Sequence, residues 1–293
     1  MGAYLRPRDV DEAVGALGSG GPSGRPWAVV AGATDHYPAR VGRVADEDVL
    51  DISALHGLRG VKEIEGGWWI GALTTWTDLI ERHLPPQFDA LRQAARTIGG
   101  QQIQNRGTIA GNVCNASPAA DGMPNLLALD AEVDLHSPTG IRTMPVASFV
   151  TGNRRTERRP DELVLGFPVL SPSPDASTRT RSTFLKLGSR AYMVISIAMV
   201  AAIVQEDGEG RIARARVAVG ACSEVARRLS GLEAALVGAD LRAGIGDLVT
   251  SAHLGGLAPI DDVRGSAGYR RDAALILVRR ALEQLAAGRA VAA

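Results

Sequence analysis

Two stretches of the chain gather the residue types that bind a polar ligand. The first is Val29-Val30-Ala31-Gly32-Ala33-Thr34-Asp35. An apolar run enters a tight turn of small residues, followed by a hydroxyl and an acid. Small side chains let backbone N–H groups approach phosphate oxygens, and several such groups in succession form an anion nest. The spacing is neither G-x-G-x-x-G nor Walker A, and it fits a plain strand-end turn as well as a phosphate cradle. The second stretch runs from Gly99 to Asp121, Gly-Gly-Gln-Gln-Ile-Gln-Asn-Arg-Gly-Thr-Ile-Ala-Gly-Asn-Val-Cys-Asn-Ala-Ser-Pro-Ala-Ala-Asp. It is dense in glycines, amides and hydroxyls. Buried polar groups at that density need partners. A long polar ligand such as a dinucleotide supplies them, and so does an Asx-turn-rich structural loop.

The surrounding elements must hold these stretches. Asp9 and Glu12 bracket a helix start, with Val10, Ala13, Val14 and Leu17 on its apolar face. Trp27 to Ala31 reads as a short buried strand, and further strands are expected at Val49–Ile52 and Gly67–Ala72. Thr77–Arg82 and Phe88–Ile98 read as helices, the second closed by Gly99-Gly100. Residues 101–125 are expected to be largely irregular, which in a compact domain usually signals function. Glu162 to Val169 is a strand signal, and Ser171 to Thr183 reads as a polar connection. Beyond it come strands at Thr183–Leu187, Ile195–Val204 and Arg211–Gly220. The last alternates Arg214 and Arg216 with Ala215, Val217 and Val219, as in an antiparallel sheet with one solvated face. Helices are expected at Val225–Val237, Leu241–Ala252 and Tyr269–Ala286.

Composition removes several functions. At 293 residues the chain is about two domains long. Lys plus Arg equals Asp plus Glu, 32 each, so a cationic face for nucleic acid is not expected. The two cysteines, Cys114 and Cys222, are too few for a cysteine-ligated iron–sulfur cluster or a four-cysteine zinc site. The five histidines are scattered, and no metal site is expected. The longest apolar stretch, Ala191 to Val204, is shorter than the roughly 20 residues of a membrane helix. With no signal-like start, a cytoplasmic protein is expected.

Asn105 to Asp121 resembles the signature of the FAD-binding medium subunit of molybdenum hydroxylases, the xanthine dehydrogenase and carbon monoxide dehydrogenase family. Ala31-Gly-Ala-Thr-Asp35 is similar to that family's first flavin loop. Glu162–Pro168, Phe184-Leu-Lys186 with Arg190, and Pro259-Ile-Asp-Asp-Val-Arg-Gly with Tyr269-Arg-Arg extend the likeness over essentially the whole chain. The resemblance implies an α+β fold: an FAD-binding domain of two α/β subdomains (PCMH-type), then a C-terminal domain of antiparallel sheet plus helices. The boundaries expected are 1–175, with subdomains of about 1–55 and 56–175, and 183–293.

The resemblance also implies site residues. Ala31, Gly32, Ala33, Thr34 and Asp35 would cradle the pyrophosphate, flanked by Val29, Val30 and His36. Thr108, Ile109, Ala110, Gly111, Asn112 and Asn115 would meet the cofactor's second side, with Ile98 packed against it. Asp121 would bond a polar edge of FAD, so that Asp121→Ala should lower FAD retention with the fold intact. Leu165, or its neighbour Val164, would touch the flavin ring by its backbone, and Lys186 would lie near the isoalloxazine. Ala33 and Ala110 stand where the family often has glycine, and Met193-Val194 where xanthine dehydrogenase has acids. No residue of this chain is assigned a catalytic or metal-binding role. Molybdopterin and the [2Fe–2S] clusters are expected on a large and a small partner subunit, in a heterotrimer or a dimer of heterotrimers. A self-contained FAD-dependent reductase or oxidase, or a scaffold that has lost flavin, are the competing readings.

The remaining residues carry plainer expectations. Trp68, Trp69 and Trp76 read as core packing, with flavin or partner contacts as the alternative, and Cys114 as a small buried residue rather than a redox thiol. Arg154-Arg155 and Arg158-Arg159 read as a solvated loop face, with a partner or anionic-acceptor contact as the alternative.

Overall fold

The computed structural model describes residues 2–42, 46–170, 178–241 and 244–288. Its elements run β1 (Tyr4–Leu5), α1 (Val10–Ser19), β2 (Ala28–Val30), β3 (Val49–Asp51), β4 (Val61–Ile64), β5 (Gly67–Gly71), α2 (Trp76–Glu81) and α3 (Asp89–Thr97). Then follow α4 (Gln101–Gln104), α5 (Ile109–Asn115), α6 (Gly122–Ala128), β6 (Glu132–Ser137), β7 (Gly140–Pro145), α7 (Val146–Phe149), β8 (Val150–Gly152), β9 (Arg155–Thr156) and β10 (Leu163–Leu170). The C-terminal part adds β11 (Arg179–Leu187), β12 (Ala198–Glu206), β13 (Ile212–Gly220), β14 (Arg227–Arg228), α8 (Ser230–Leu236) and α9 (Ala267–Ala286).

Helix α1 begins where the sequence puts it. Asp9 Oδ1 accepts the Glu12 N–H at 2.8 Å, and Ala13, Val14 and Leu17 face inward. They pack on a small parallel sheet of order β1-β3-β2. A second, antiparallel sheet has the order β4-β5-β10-β6-β7. Helices α2, α3, α5 and α6 pack against it through Trp76, Leu79, Leu91, Ile109 and Leu126. The α+β class and the division into a flavin-type region and a C-terminal sheet-and-helix region are as expected.

The C-terminal sheet, order β11-β12-β13-β14, departs from the expectation of one solvated face. Ala198, Val200, Ala202 and Val204 turn toward α8 and α9. Met199, Ala201, Ile203 and Ala218 turn the other way and complete the core under α3 and α6. A sheet covered on both faces reads as a continuous apolar run, which is what β12 is. Arg216 therefore does not point to solvent. It is 7% exposed, donates to the Ala128 carbonyl at 3.2 Å and pairs with Asp130 at 3.1 Å. Burial lowers its pKa to about 10. Arg214 and Arg228 reach the same Asp130 carboxylate at 2.9 and 2.5 Å, and Arg228 also bonds Glu233. Asp130 itself adopts a left-handed backbone, φ 51°. A clasp of three arginines on one acid thus joins the end of α6 to β13 and β14.

Other boundaries shift. Residues 101–125 hold α4, α5 and the start of α6 instead of staying irregular. The expected helix at Val225–Val237 is β14 followed by α8, and among the described residues of Leu241–Ala252 and just beyond there are only single 3-10 turns, at Ile245–Leu248 and Ser251–Leu254. Residues 171–177 of the expected polar connection lie outside the described residues, and Arg179–Ser182 belong to β11. No helix among the described residues is long and apolar enough to cross a membrane.

Candidate functional site

The two polar stretches meet. Strand β2 delivers the chain into the bend Ala31–Asp35 at the edge of the small sheet. A side chain placed on Gly32 would run into the carbonyl oxygen of Arg106, so glycine is required by close backbone approach between the bends. Ala33 has φ 59°, the left-handed region that glycine tolerates best. Ala110 does not share that strain, since it lies inside α5.

The second bend is fastened to the start of α2. The Trp76 N–H donates to the Gly107 carbonyl at 3.3 Å, Ile109 N–H to Thr74 O at 3.0 Å and Ala110 N–H to Ala72 O at 3.3 Å. Thr75 and Asp78 form a reciprocal capping box that fixes α2 beneath it. Thr108 caps α5, its hydroxyl accepting the Gly111 N–H at 3.0 Å. Asn112 Oδ1 accepts the Gly122 N–H at 3.1 Å and so ties α5 to α6.

Between the bends lies a cavity of about 780 Å³, near the top of the range of roughly 300–1,000 Å³ usual for small-molecule and cofactor sites. Val29 to His36, Ile98, Thr108, Ala110, Gly111, Asn112 and Asn115 all line it. Val164 lines it, whereas Leu165 does not. Ile109 is fully buried in the core behind the wall. Asp121 and Lys186 are also off the lining. They form a buried ion pair at 2.8 Å, and Ser196 donates to the other Asp121 oxygen at 2.5 Å. Burial holds the Asp121 carboxyl above its ordinary range, against the downward pull of Lys186 and Ser196. Lys186 also donates to the carbonyls of Thr97 and Val194, so it braces α3 against the C-terminal sheet. Met193 is 59% exposed with φ 48° and lies off the lining.

Trp76, expected as core with a flavin contact as the alternative, is a core residue that also forms part of the wall. Arg154, Arg158 and Glu162 line one end, although the basic cluster read as a solvated loop. Burial pushes the Glu162 carboxyl up, but the Arg142 guanidinium at 2.5 Å and the Arg159 N–H hold it below its ordinary range. His36 sits 3.3 Å from Glu47, yet burial and the neighbouring Arg40 keep its imidazole pKa low and favour the neutral form. Charge runs give no sequence signal for which guanidinium turns inward; only the β8–β9 hairpin geometry does.

Relief of the Ala33 backbone is measurable. Ala33→Gly is expected to raise unfolding stability by about 0.5 kcal/mol, because left-handed strain of roughly 1–2 kcal/mol outweighs the extra chain entropy of glycine. Urea denaturation checks this, and a lowered midpoint would contradict it.

The chain is similar to known proteins over nearly its whole length. The family described as "FAD binding domain in molybdopterin dehydrogenase" matches residues 1–169, and "CO dehydrogenase flavoprotein C-terminal domain" matches residues 183–285. The glyceraldehyde dehydrogenase medium chain of Sulfolobus acidocaldarius is 31% identical over 288 residues, covering 97% of this chain and 98% of that one. A xanthine dehydrogenase FAD-binding subunit of Escherichia coli is 33% identical over 228 residues, 76% of this chain and 75% of its own. A chain of reconstituted CO dehydrogenase from Oligotropha carboxidovorans superposes with a TM-score of 0.86 at 26% identity, covering 98% of each. With both family regions present in order over a shared fold, the chain belongs to the FAD-binding medium subunits of the molybdenum hydroxylase family of oxidoreductases.

Proposed function

We propose that the chain is the electron-transfer subunit of a molybdenum-containing hydroxylase or dehydrogenase. Electrons would come from [2Fe–2S] clusters on a small partner subunit and pass through FAD to a final acceptor. The observation that carries this reading is the contact of the first bend with Arg106 across a cavity that both bends line. FAD, when bound, supplies the redox chemistry; the protein binds and orients it.

The residues present fit that cofactor. Two backbones pack where a Cβ on Gly32 would not fit, which holds the two bends together at the edge of the cavity they line. Backbone N–H groups of Ala31 to Asp35 would hold the diphosphate. Thr108, Gly111, Asn112 and Asn115 would face it from the opposite wall. The Thr108 hydroxyl accepts from Gly111, so its own proton is free to be donated. Val29, Val30, Ile98 and Val164 give the apolar wall that excludes water. Asp121 and Lys186 would act from behind, holding α6 and β11 in place, and Ile109 and Leu165 would set the position of their lining neighbours.

Two cysteines are too few for iron–sulfur clusters, which puts those on a partner in this proposal, with molybdopterin on a large subunit. The names of the relatives, "medium chain" and "FAD-binding subunit", support a heterotrimer or a dimer of heterotrimers. Both cysteines are free, consistent with the cytoplasm. Purification of the native complex with metal and flavin analysis tests the whole reading. The expected result is flavin on this chain, with iron and molybdenum on two co-purifying chains. Turnover of a small substrate with a pyridine nucleotide by the purified chain alone would overturn it.

A further inference from the structure

Arg154 lies at the tip of the β8–β9 hairpin, outside both glycine-bearing bends. Its backbone is left-handed, φ 59°. The turn is pinned from two sides: Arg154 N–H donates to the Ala116 carbonyl at 2.9 Å, and Glu224 accepts the Asn153 N–H at 3.1 Å. From this mount the Arg154 guanidinium reaches Asp35 of the first bend at 3.0 Å and also Asn115 at the end of α5. One side chain therefore bridges both walls of the cavity that it helps to line.

Among the described residues, neither of the other lining guanidiniums bonds to either bend. Arg40 pairs with Glu47 at 2.5 Å and donates to the His36 carbonyl. Arg158 also bonds only through Nη1, to the carbonyls of Arg159 and Glu162, but neither partner belongs to a glycine-bearing bend. Arg154 makes both its side-chain bonds through Nη1, which leaves Nε and Nη2 unbonded among the described residues. Its carboxylate partner is weakly held, since Arg154 and Asp35 are 55% and 56% exposed. An exposed pair of this kind is worth about 0–1 kcal/mol and exchanges readily.

We propose that Arg154 is a third-segment ligand for the diphosphate of FAD, supplying positive charge to a cradle otherwise built from neutral N–H groups. The proposal rests on the flavin reading above and adds a residue to it. Asp35 and Asn115 hold the guanidinium across the mouth. The uncommitted N–H groups then meet the phosphate oxygens, as the planar fork of arginine is suited to do.

The test is titration of the full-length apoprotein with FAD at about 50 and about 300 mM salt, which brackets strong and weak screening. Arg154→Gly suits the left-handed turn and removes the charge; Arg154→Lys keeps the charge. Arg154→Gly is expected to raise the Kd for FAD about tenfold at low salt, the scale of a lost charge-assisted hydrogen bond. Its salt dependence should be shallower than that of the wild type, its apoprotein melting temperature should not fall, and Arg154→Lys should regain most of the affinity. Equal affinity of wild type and Arg154→Gly would overturn the proposal. So would a loss with unchanged salt dependence and no recovery in Arg154→Lys, which would mark a purely structural strap. A wild-type chain that takes up no FAD would instead sink the flavin reading itself, and this proposal with it.

Discussion

Gly32→Val is expected to yield a colourless protein. The added side chain would collide with the Arg106 carbonyl, a backbone atom that moves only if the two bends separate. Overpacking of this kind costs about 1–3 kcal/mol. Here the strain is relieved by opening the cradle, so FAD affinity should fall on the order of a hundredfold. Flavin absorbance per chain after purification reads the effect. Gly111→Ala is the milder control, because its Cβ would sit 2.9 Å from the Thr108 hydroxyl, a side-chain atom whose displacement costs the α5 cap but leaves the two bends together. Wild-type flavin content in Gly32→Val would mean that the first bend is not part of the cofactor site.

Asp121→Ala is expected to act on the fold first. The sequence suggests a polar contact to the cofactor and an intact fold on its removal. The structure instead spends both carboxylate oxygens on Lys186 and Ser196, with both ionic side chains 7% exposed. Removing the acid leaves a buried ammonium with only carbonyl partners. That costs about 3–5 kcal/mol, whereas replacing the whole pair by apolar groups is often nearly neutral. Urea denaturation at neutral pH should therefore show a large loss in Asp121→Ala and substantial recovery in Asp121→Leu with Lys186→Met. A loss below about 1 kcal/mol in the single variant would refute the bracing role.

The contrast between Gly32 and Asp121 marks what was legible in the sequence. Gly32 sits in a run of small residues after an apolar strand, and that pattern alone suggests close backbone approach. The start of α1 was equally plain, because Asp9 and Glu12 announce a cap locally. Asp121 gave no such signal. Its partners come from 65 and 75 residues away, and local pattern says nothing of them. Arg216 misled for a related reason. Alternation assigns a strand two faces but not what covers each, and α6 lies over the face that the arginine shares with Ala218. The glycines and asparagines of residues 101–125 masked α4 and α5, which at four and seven residues are too short to establish a helical period. Arg154 was visible only as one charge among several neighbours.

The three arginines gathered on Asp130 and the doubly covered sheet have one more consequence. A piece of this protein cut after β10 would keep both flavin bends and lose Phe184, Met199, Ala201, Ile203 and Ala218, leaving a bare oily floor beneath α3 and α6. The lone acid would lose all three of its counter-charges. The front half cut there is expected to be less stable, and more prone to associate through that uncovered floor, than the same residues in the whole polypeptide.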